Sequence, residues 1–120
     1  MNSISDSAII AALGRQLNRT VARQQVAASN LANIDTPGYR AQDVRFAETL
    51  DATLQTTTGV GGDVPIVTET SGAAVRRDGN SVQVDREMLN LTRAAGDFSA
   101  AQTALAAKFR LVRYAINEGR

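Results

Sequence analysis

A heptad pattern of apolar side chains near the end of the sequence constrains the fold more than any other feature. From residue 88 onward, apolar residues recur at alternating spacings of three and four, with one glutamine among them. That spacing puts them in one seam of a long α-helix that packs against another helix. We expect this helix to run from Asp85, its N-cap, to residue 118. The predicted seam comprises Met88, Leu91, Ala95, Phe98, Gln102, Leu105, Phe109, Val112 and Ile116.

A second seam with the same spacing lies at the beginning of the chain, in a helix predicted to follow a cap at Ser5 or Asp6 and to end near residue 33. It comprises Ile10, Leu13, Leu17, Val21, Gln24, Ala28 and Leu31. The two seams predict a mainly α protein whose N- and C-terminal helices form a coiled-coil-like hairpin. Because each seam holds one glutamine, we expect an antiparallel register that sets Gln24 opposite Gln102 and Leu17 opposite Phe109.

The first helix is predicted to end in a proline–glycine turn. Proline lacks a backbone N–H and pushes the residue before it toward the extended region, whereas glycine tolerates positive φ. The turn residues are Thr36, Pro37, Gly38 and Tyr39. Asn30 and Asn33 stand in the last helical turn, where asparagine is unfavourable because its amide competes for backbone partners. We expect their side chains to bond to another element; a frayed helix end is the alternative.

The sequence divides into an N-terminal seam helix over residues 1–35, a middle part over 36–84 with short extended or β segments, and a C-terminal seam helix over 85–120. In the middle part a short helix is expected over residues 42–54, because Phe46 and Leu50 lie four residues apart.

Further along the middle part, the glycine-rich residues 55–63 predict a flexible linker. Residues 64–68 predict an edge strand, because Pro65 cannot donate to a neighbouring strand. Residues 75–84 predict a short hairpin that turns at Asp78-Gly79.

Composition argues against an enzyme. Cysteine and histidine are both absent, so the chain has no thiolate nucleophile, no imidazole base and no ligand set typical of zinc. Only 4% of the residues are aromatic, and an alanine-rich core buries too little area to build a rigid cleft around carboxylates such as Asp85 and Glu87. We therefore predict no catalytic residue, no metal, no cofactor and no small-molecule substrate.

The net charge and the hydropathy of the sequence argue against two classes of partner, nucleic acids and membranes. The formal net charge of +1 gives no field that would attract nucleic acid. Arg15, Arg19 and Arg23 recur every four residues, and form either a solvated face or a stripe that pairs with acidic residues of a neighbouring subunit. No apolar run approaches the ~20 residues that a membrane span needs, and no secretory signal peptide is recognisable. Membrane insertion is not expected.

The segment from Ala28 to Tyr39 resembles the N-terminal signature of the flagellar rod and hook axial proteins, which read Ser-Asn-(Ile/Leu)-Ala-Asn-x-x-Thr-Pro-Gly-Tyr. Residues 40–46 are similar to the segment that follows the signature in the proximal rod members of that family. Residues 78–87 are similar to the segment that precedes their C-terminal helix. Distal rod and hook members insert a large β domain between the helices, and this chain has no room for one.

The resemblance implies a structural subunit of the bacterial flagellar basal body. Such proteins are exported by the flagellar type III system without a cleaved signal peptide. They polymerise helically into the proximal rod, which lies in the periplasm and transmits torque. The implied partners are further copies, other rod proteins, FliE and the MS ring, and the export gate.

The resemblance also assigns roles to individual residues. The family's early export substrates carry a Phe-x-x-x-hydrophobic element, which Phe46 and Leu50 match; the same spacing also fits simple packing. The turn motif, Asn30, Asn33 and residues 36–39, would hold the angle between the helix and the middle part and contact neighbouring subunits. The alternative function is a small helical-hairpin adaptor or export chaperone that binds another flagellar or secretion protein.

Overall fold

Two long helices flank a short pair of strands. The computed structural model describes residues 5–46 and 65–118. The elements follow in the order α1 (Asp6–Ala32), β1 (Gln42–Phe46), β2 (Pro65–Glu69) and α2 (Val84–Glu118). The molecule is elongated, with principal extents of 68 × 29 × 22 Å. The prediction of a mainly α protein with long terminal helices and short β segments between them is confirmed.

Helix α1 begins and ends close to the predicted positions. The Ser5 side chain caps it, since Ser5 Oγ accepts a hydrogen bond from the N–H of Ala8 at 3.3 Å. At the other end the N–H of Asn33 donates to the carbonyls of Ser29 and Asn30, both at 3.2 Å. Those bonds tighten the last turn before the chain leaves the helix.

Helix α2 begins at Val84, one residue before the predicted cap. The N–H of Glu87 donates to the carbonyl of Gln83 at 3.1 Å, which places Asp85 inside the first turn. The expectation that Asp85 is the N-cap is therefore wrong. Asp85 and Glu87 still lie at the positive end of the helix dipole, where carboxylates are favoured.

The helices pack through a stripe that differs from the predicted seams by one residue. On α1, Ile10, Leu13, Leu17, Gln24 and Leu31 are half-buried, whereas Val21 and Ala28 are exposed. On α2, Leu91, Phe98, Leu105 and Val112 are half-buried, whereas Met88, Ala95, Gln102, Phe109 and Ile116 are exposed. Each predicted seam uses two positions of the heptad, and in each helix the side chains at one of them pack against the other helix. At most of the second positions, the residue just before the predicted one is buried instead. The buried residues include Thr20 and Ala27 of α1, and Ala94 and Ala101 of α2.

Small side chains account for this stripe. Alanine and threonine let two helix backbones approach closely, and larger apolar side chains then flank the contact instead of filling it. Periodicity predicts that a seam exists. Two neighbouring stripes satisfy the same spacing, and side-chain size decides between them.

The register of the hairpin also differs from the prediction. Lys108 forms an ion pair with Asp6, whereas the predicted register would set it beside residue 18. Gln102 is exposed while Gln24 is half-buried, so the expectation that Gln24 faces Gln102 is wrong. The bonds that hold the start of α2 beside the end of α1 set the observed register: the N–H of Ser81, for example, donates to the carbonyl of Tyr39 at 3.0 Å.

The strands β1 and β2 form an antiparallel pair with Gln42 opposite Glu69 and Phe46 opposite Pro65. The helix predicted from residue 42 is therefore wrong over residues 42–46. The spacing of Phe46 and Leu50 suits a helix, but the partner strand lies about 20 residues away in sequence, where a local pattern cannot report it. The predicted edge strand is confirmed over Pro65–Glu69. Leu50 and the predicted linker 55–63 lie outside the described residues.

The segment before α2 contains the predicted turn but not the predicted hairpin. Gly79 has φ +83°, and its N–H donates to the carbonyl of Arg76 at 2.9 Å. Residues 75–83 contain no strand, because Asn80 and Ser81 direct their polar groups to the end of α1 and the start of β1. Val82 is buried while Val84 is exposed, so these two valines do not share a face.

Candidate assembly site at the helix junction

The end of α1 is tied to the start of α2 by one buried amide. Asn80 is fully buried. Its Nδ2 donates to three main-chain carbonyls, those of Asn33 at 2.8 Å, Ile34 at 3.0 Å and Thr36 at 2.9 Å. These carbonyls follow the last turn of α1; those of Asn33 and Thr36 also accept turn hydrogen bonds, from the N–H groups of Thr36 and Tyr39. Asn80 Oδ1 accepts from the N–H of Val82 at 2.8 Å, so both ends of the amide are used.

A second buried amide ties α1 to β1. Asn30 is also fully buried. Its Nδ2 donates to the carbonyl of Gln42 at 2.8 Å, and its Oδ1 accepts from the N–H of the same residue at 3.0 Å. The side chain thus bonds to β1 as a neighbouring strand would. The hydroxyl of Tyr39 donates to the same Oδ1 at 3.2 Å. Asn30 therefore bonds across to another element, as expected, whereas the bonds of the Asn33 side chain to Ser29 and Thr36 are local, so the same expectation is wrong for Asn33.

The predicted turn is held by local bonds. Asn33 Nδ2 donates to the carbonyl of Ser29 at 2.8 Å, and Thr36 Oγ1 donates to Asn33 Oδ1 at 3.1 Å. Pro37 and Gly38 are exposed, and Gly38 has the positive φ, +76°, that its position predicts. The N–H of Gly38 donates to the carbonyl of Asp78 at 2.8 Å. The turn is thereby joined to the segment that leads into α2.

Ser81 completes the junction. Its Oγ accepts from the N–H of Ala41 at 2.7 Å, and Ala41 and Ser81 are both buried. Arg76 reaches the same region and donates to the carbonyl of Ile34. We call the set of Asn30, Asn33, Thr36, Tyr39, Asn80 and Ser81 the junction. Its bonds fix the angle at which the chain leaves α1 and the place at which α2 begins.

Charged side chains surround β1. Arg86 of α2 donates to Asp43 Oδ2 at 3.1 Å. On the other side, the guanidinium carbons of Arg19 and Arg23 lie 5.1 and 5.4 Å from the centre of the Phe46 ring, within the range of cation–π attraction. Two of the three arginines spaced every four residues therefore cover the aromatic ring of the export-element candidate. Leu50, the other half of that candidate, falls beyond the described segment.

The polar groups of the junction bond to the main chain and to one another. Within residues 5–46 and 65–118, no group of three or more carboxylates could hold a metal ion. None of the helices described is both long and apolar enough to cross a membrane.

The junction unites the predicted motif with Asn80 and Ser81, to which the sequence analysis assigned no contact with that motif. Asn30, Asn33, Thr36 and Tyr39 lie together at the end of α1. Asn80 and Ser81 reach them from more than 40 positions away. An asparagine after Asp-Gly is ordinary turn chemistry, so the local sequence carried no sign of these long-range bonds. Contact of the motif with neighbouring subunits stays a prediction.

The chain combines a helical hairpin with a tightly bonded junction at this signature, and it is similar to the flagellar basal-body rod proteins. Residues 10–40, which span most of α1 and the whole turn, match the family described as flagella basal body rod protein. These similarities indicate a structural subunit of the flagellar basal-body rod.

Three similar proteins are flagellar basal body rod proteins named FlgB. The chain is 29% identical to the flagellar basal body rod protein FlgB of Bacillus subtilis, over 95% of this chain and 97% of the relative. It is 25% identical to FlgB of Yersinia enterocolitica, over 86% of this chain and 89% of the relative. A shorter match to FlgB of Escherichia coli is 51% identical and covers 32% of this chain and 28% of the relative.

Proposed function

We propose that this subunit polymerises helically into the proximal rod through a face of α2 that a single chain leaves exposed. The heptad positions Met88, Ala95, Gln102, Phe109 and Ile116 share that face, which we call the outer seam. Met88, Phe109 and Ile116 are 53%, 49% and 61% exposed. The observation that carries the proposal is this outer seam: a regular heptad stripe that does not pack on α1.

The physical chemistry supports assembly. A heptad stripe of apolar side chains is the pattern by which helices pack together, and a contiguous exposed apolar surface marks an interaction site. Among the described residues, the buried apolar side chains are small, namely those of four alanines and one valine. Contacts between subunits add the apolar burial that a single copy lacks.

The remaining roles follow the family. The subunit acts without catalysis and transmits torque because many interfaces share the strain. It is exported unfolded from the cytoplasm by the flagellar type III apparatus, and reaches its place in the periplasmic rod without cleavage. Phe46 and Leu50 contact the export gate in the unfolded chain. In the rod, FliE and the MS ring lie below, and other rod proteins lie beside and above. The turn motif holds the helix angle and touches neighbouring copies.

Complementation tests the proposal. In the source bacterium, the gene is deleted and replaced by wild type or by a variant in which Met88, Phe109 and Ile116 are all serine. We expect wild type to restore rods and swimming. We expect the variant to be secreted but to build no rods, because the outer seam has lost its apolar side chains.

A matched control keeps the comparison specific. Ala100, Ala104 and Ala107 are exposed on other faces of α2, and their replacement by serine should leave rod formation intact. Rods built by the seam variant would show that the outer seam is not the contact. Normal rods in the deletion strain would overturn the function itself.

A further inference from the structure

One carboxylate in the packed stripe has no partner. Glu87 is only 1% exposed, and neither Oε1 nor Oε2 accepts a hydrogen bond from the part of the chain that the structure describes. The dipole of α2 favours a negative charge in its first turn. It does not replace the hydrogen bonds that a carboxylate loses when it leaves water. A buried group of this kind needs a donor from outside the hairpin.

Glu87 lines a cleft that could admit such a donor. The cleft has a volume of about 270 Å³ and lies between α1, β1 and α2. The other charged residues that line the cleft are Arg23, Asp43, Arg93 and Asp97. Asp43 pairs with Arg86 at 3.1 Å and Arg23 lies over Phe46, and none of the four forms a hydrogen bond with Glu87. A volume at the lower limit of small-molecule pockets suits the head of one side chain better than a whole ligand.

The opposite end of the molecule carries two arginines that form no ion pair with the other residues the structure describes. Helix α2 continues for ten residues beyond Lys108, which pairs with the start of α1, a length of about 15 Å. Arg110 and Arg113 lie on this projecting end and are exposed. The ion pairs among the described residues involve other cations. Leu111 and Tyr114 flank them and are also exposed.

We propose that the cleft at Glu87 binds a guanidinium from the projecting α2 end of a second copy, supplied by Arg110 or Arg113. Guanidinium is the cation best suited to a buried carboxylate, because its planar N–H groups can bond both oxygens at once. Leu111 and Tyr114 supply apolar burial around the ion pair. The inference rests on the proposed function and assigns one of its contacts between copies.

The contact is heterologous, since the cleft lies near one end of the hairpin and the arginines at the other. A head-to-tail contact of this kind leaves a free cleft and a free end in every complex, and it therefore propagates into an open chain. That symmetry is the one that a helical rod requires. A contact between two identical faces would stop at a dimer.

A double-mutant cycle on the purified full chain tests the pairing. Self-association is measured by sedimentation for wild type, Glu87→Gln, the Arg110→Gln/Arg113→Gln variant, and their combination. We expect each change to weaken association about tenfold or more, and the combination to be no weaker than the worse of the two. Circular dichroism monitors folding, and Glu87→Gln should keep the helices because it removes a buried charge.

Several results would overturn the inference. Additive effects would mean that the groups do not meet, and a wild-type chain that does not associate would remove the contact altogether. Coupling of Glu87→Gln to Arg93→Gln, instead of to the projecting arginines, would mean that the cleft is closed by its own chain.

Cross-linking supplies a second measurement, because the chain contains no cysteine. A copy with Asn90→Cys at the cleft is mixed with a differently tagged copy that carries Tyr114→Cys. We expect a mixed disulfide from this pair and none when Ala100→Cys replaces Tyr114→Cys. Equal yields from both pairs would count against the proposal. Normal rods in cells that carry Glu87→Gln would contradict this inference but leave the proposed rod function intact. Normal rods in a deletion strain would contradict the proposed function itself.

Discussion

Asn80 is the residue on which the junction depends most directly. Its amide is fully buried and bonds to three carbonyls of the α1 end and to one N–H at the start of α2. We predict that Asn80→Ala lowers the free energy of unfolding by about 2–4 kcal/mol, because it removes these four hydrogen bonds and leaves the buried N–H of Val82 without its acceptor. Urea denaturation followed by circular dichroism measures the loss.

Two further variants make that measurement specific. Asn80→Asp keeps the acceptor for Val82 but sets a carboxylate against three carbonyls, so it should destabilise at least as much. Asn18→Ala removes an exposed asparagine of α1 and should change the stability by less than about 0.5 kcal/mol. If Asn80→Ala behaved like Asn18→Ala, the buried bonds would contribute nothing net.

At the scale of elements, two adjacent alanines of α2 separate the packed stripe from the outer seam. Ala94 is 2% exposed between the helices, whereas Ala95 is exposed. We predict that Ala94→Leu costs about 1–3 kcal/mol of monomer stability, because three added carbons have no space between close helices. Ala95→Leu should change it by less than about 0.5 kcal/mol. Thermal unfolding of the two variants gives the comparison, and equal losses would mean that the stripe is misplaced.

These alanines also mark how far the sequence could predict the fold. The 3–4 spacing predicted both helices, and the cap at Ser5 and the proline–glycine turn bounded α1 closely. Apolar pattern ranks alanine with other apolar residues, so it could not tell Ala94 from Ala95. The pairing of β1 with β2 and the amide of Asn80 are contacts distant in sequence, and no local pattern encodes them. The turn motif of the site was therefore predictable, while its partner segment was not.

At the scale of the whole molecule, the junction sets the relation of the two helices. Under the proposed function, assembly requires that relation, whereas export of the unfolded chain does not. Gly79 has φ +83°, and a Cβ there would lie 3.2 Å from the Cα of Gly38. Gly79→Ala should therefore strain the junction by about 1–2 kcal/mol for the left-handed backbone, with an added main-chain contact. We predict unchanged secretion and fewer rods, measured as secreted protein and as isolated basal bodies.

Gly72 is the matched control for that experiment. It has nearly the same backbone conformation, φ +72°, but a Cβ there would meet nothing within 4 Å, and it lies outside the junction. Gly72→Ala carries the same backbone strain without the main-chain contact, so it should build more rods than Gly79→Ala. If both variants assembled equally, a rigid junction would not be what the rod requires. If Gly79→Ala reduced secretion first, the segment would act during export, and the angle between the helices would matter only afterwards.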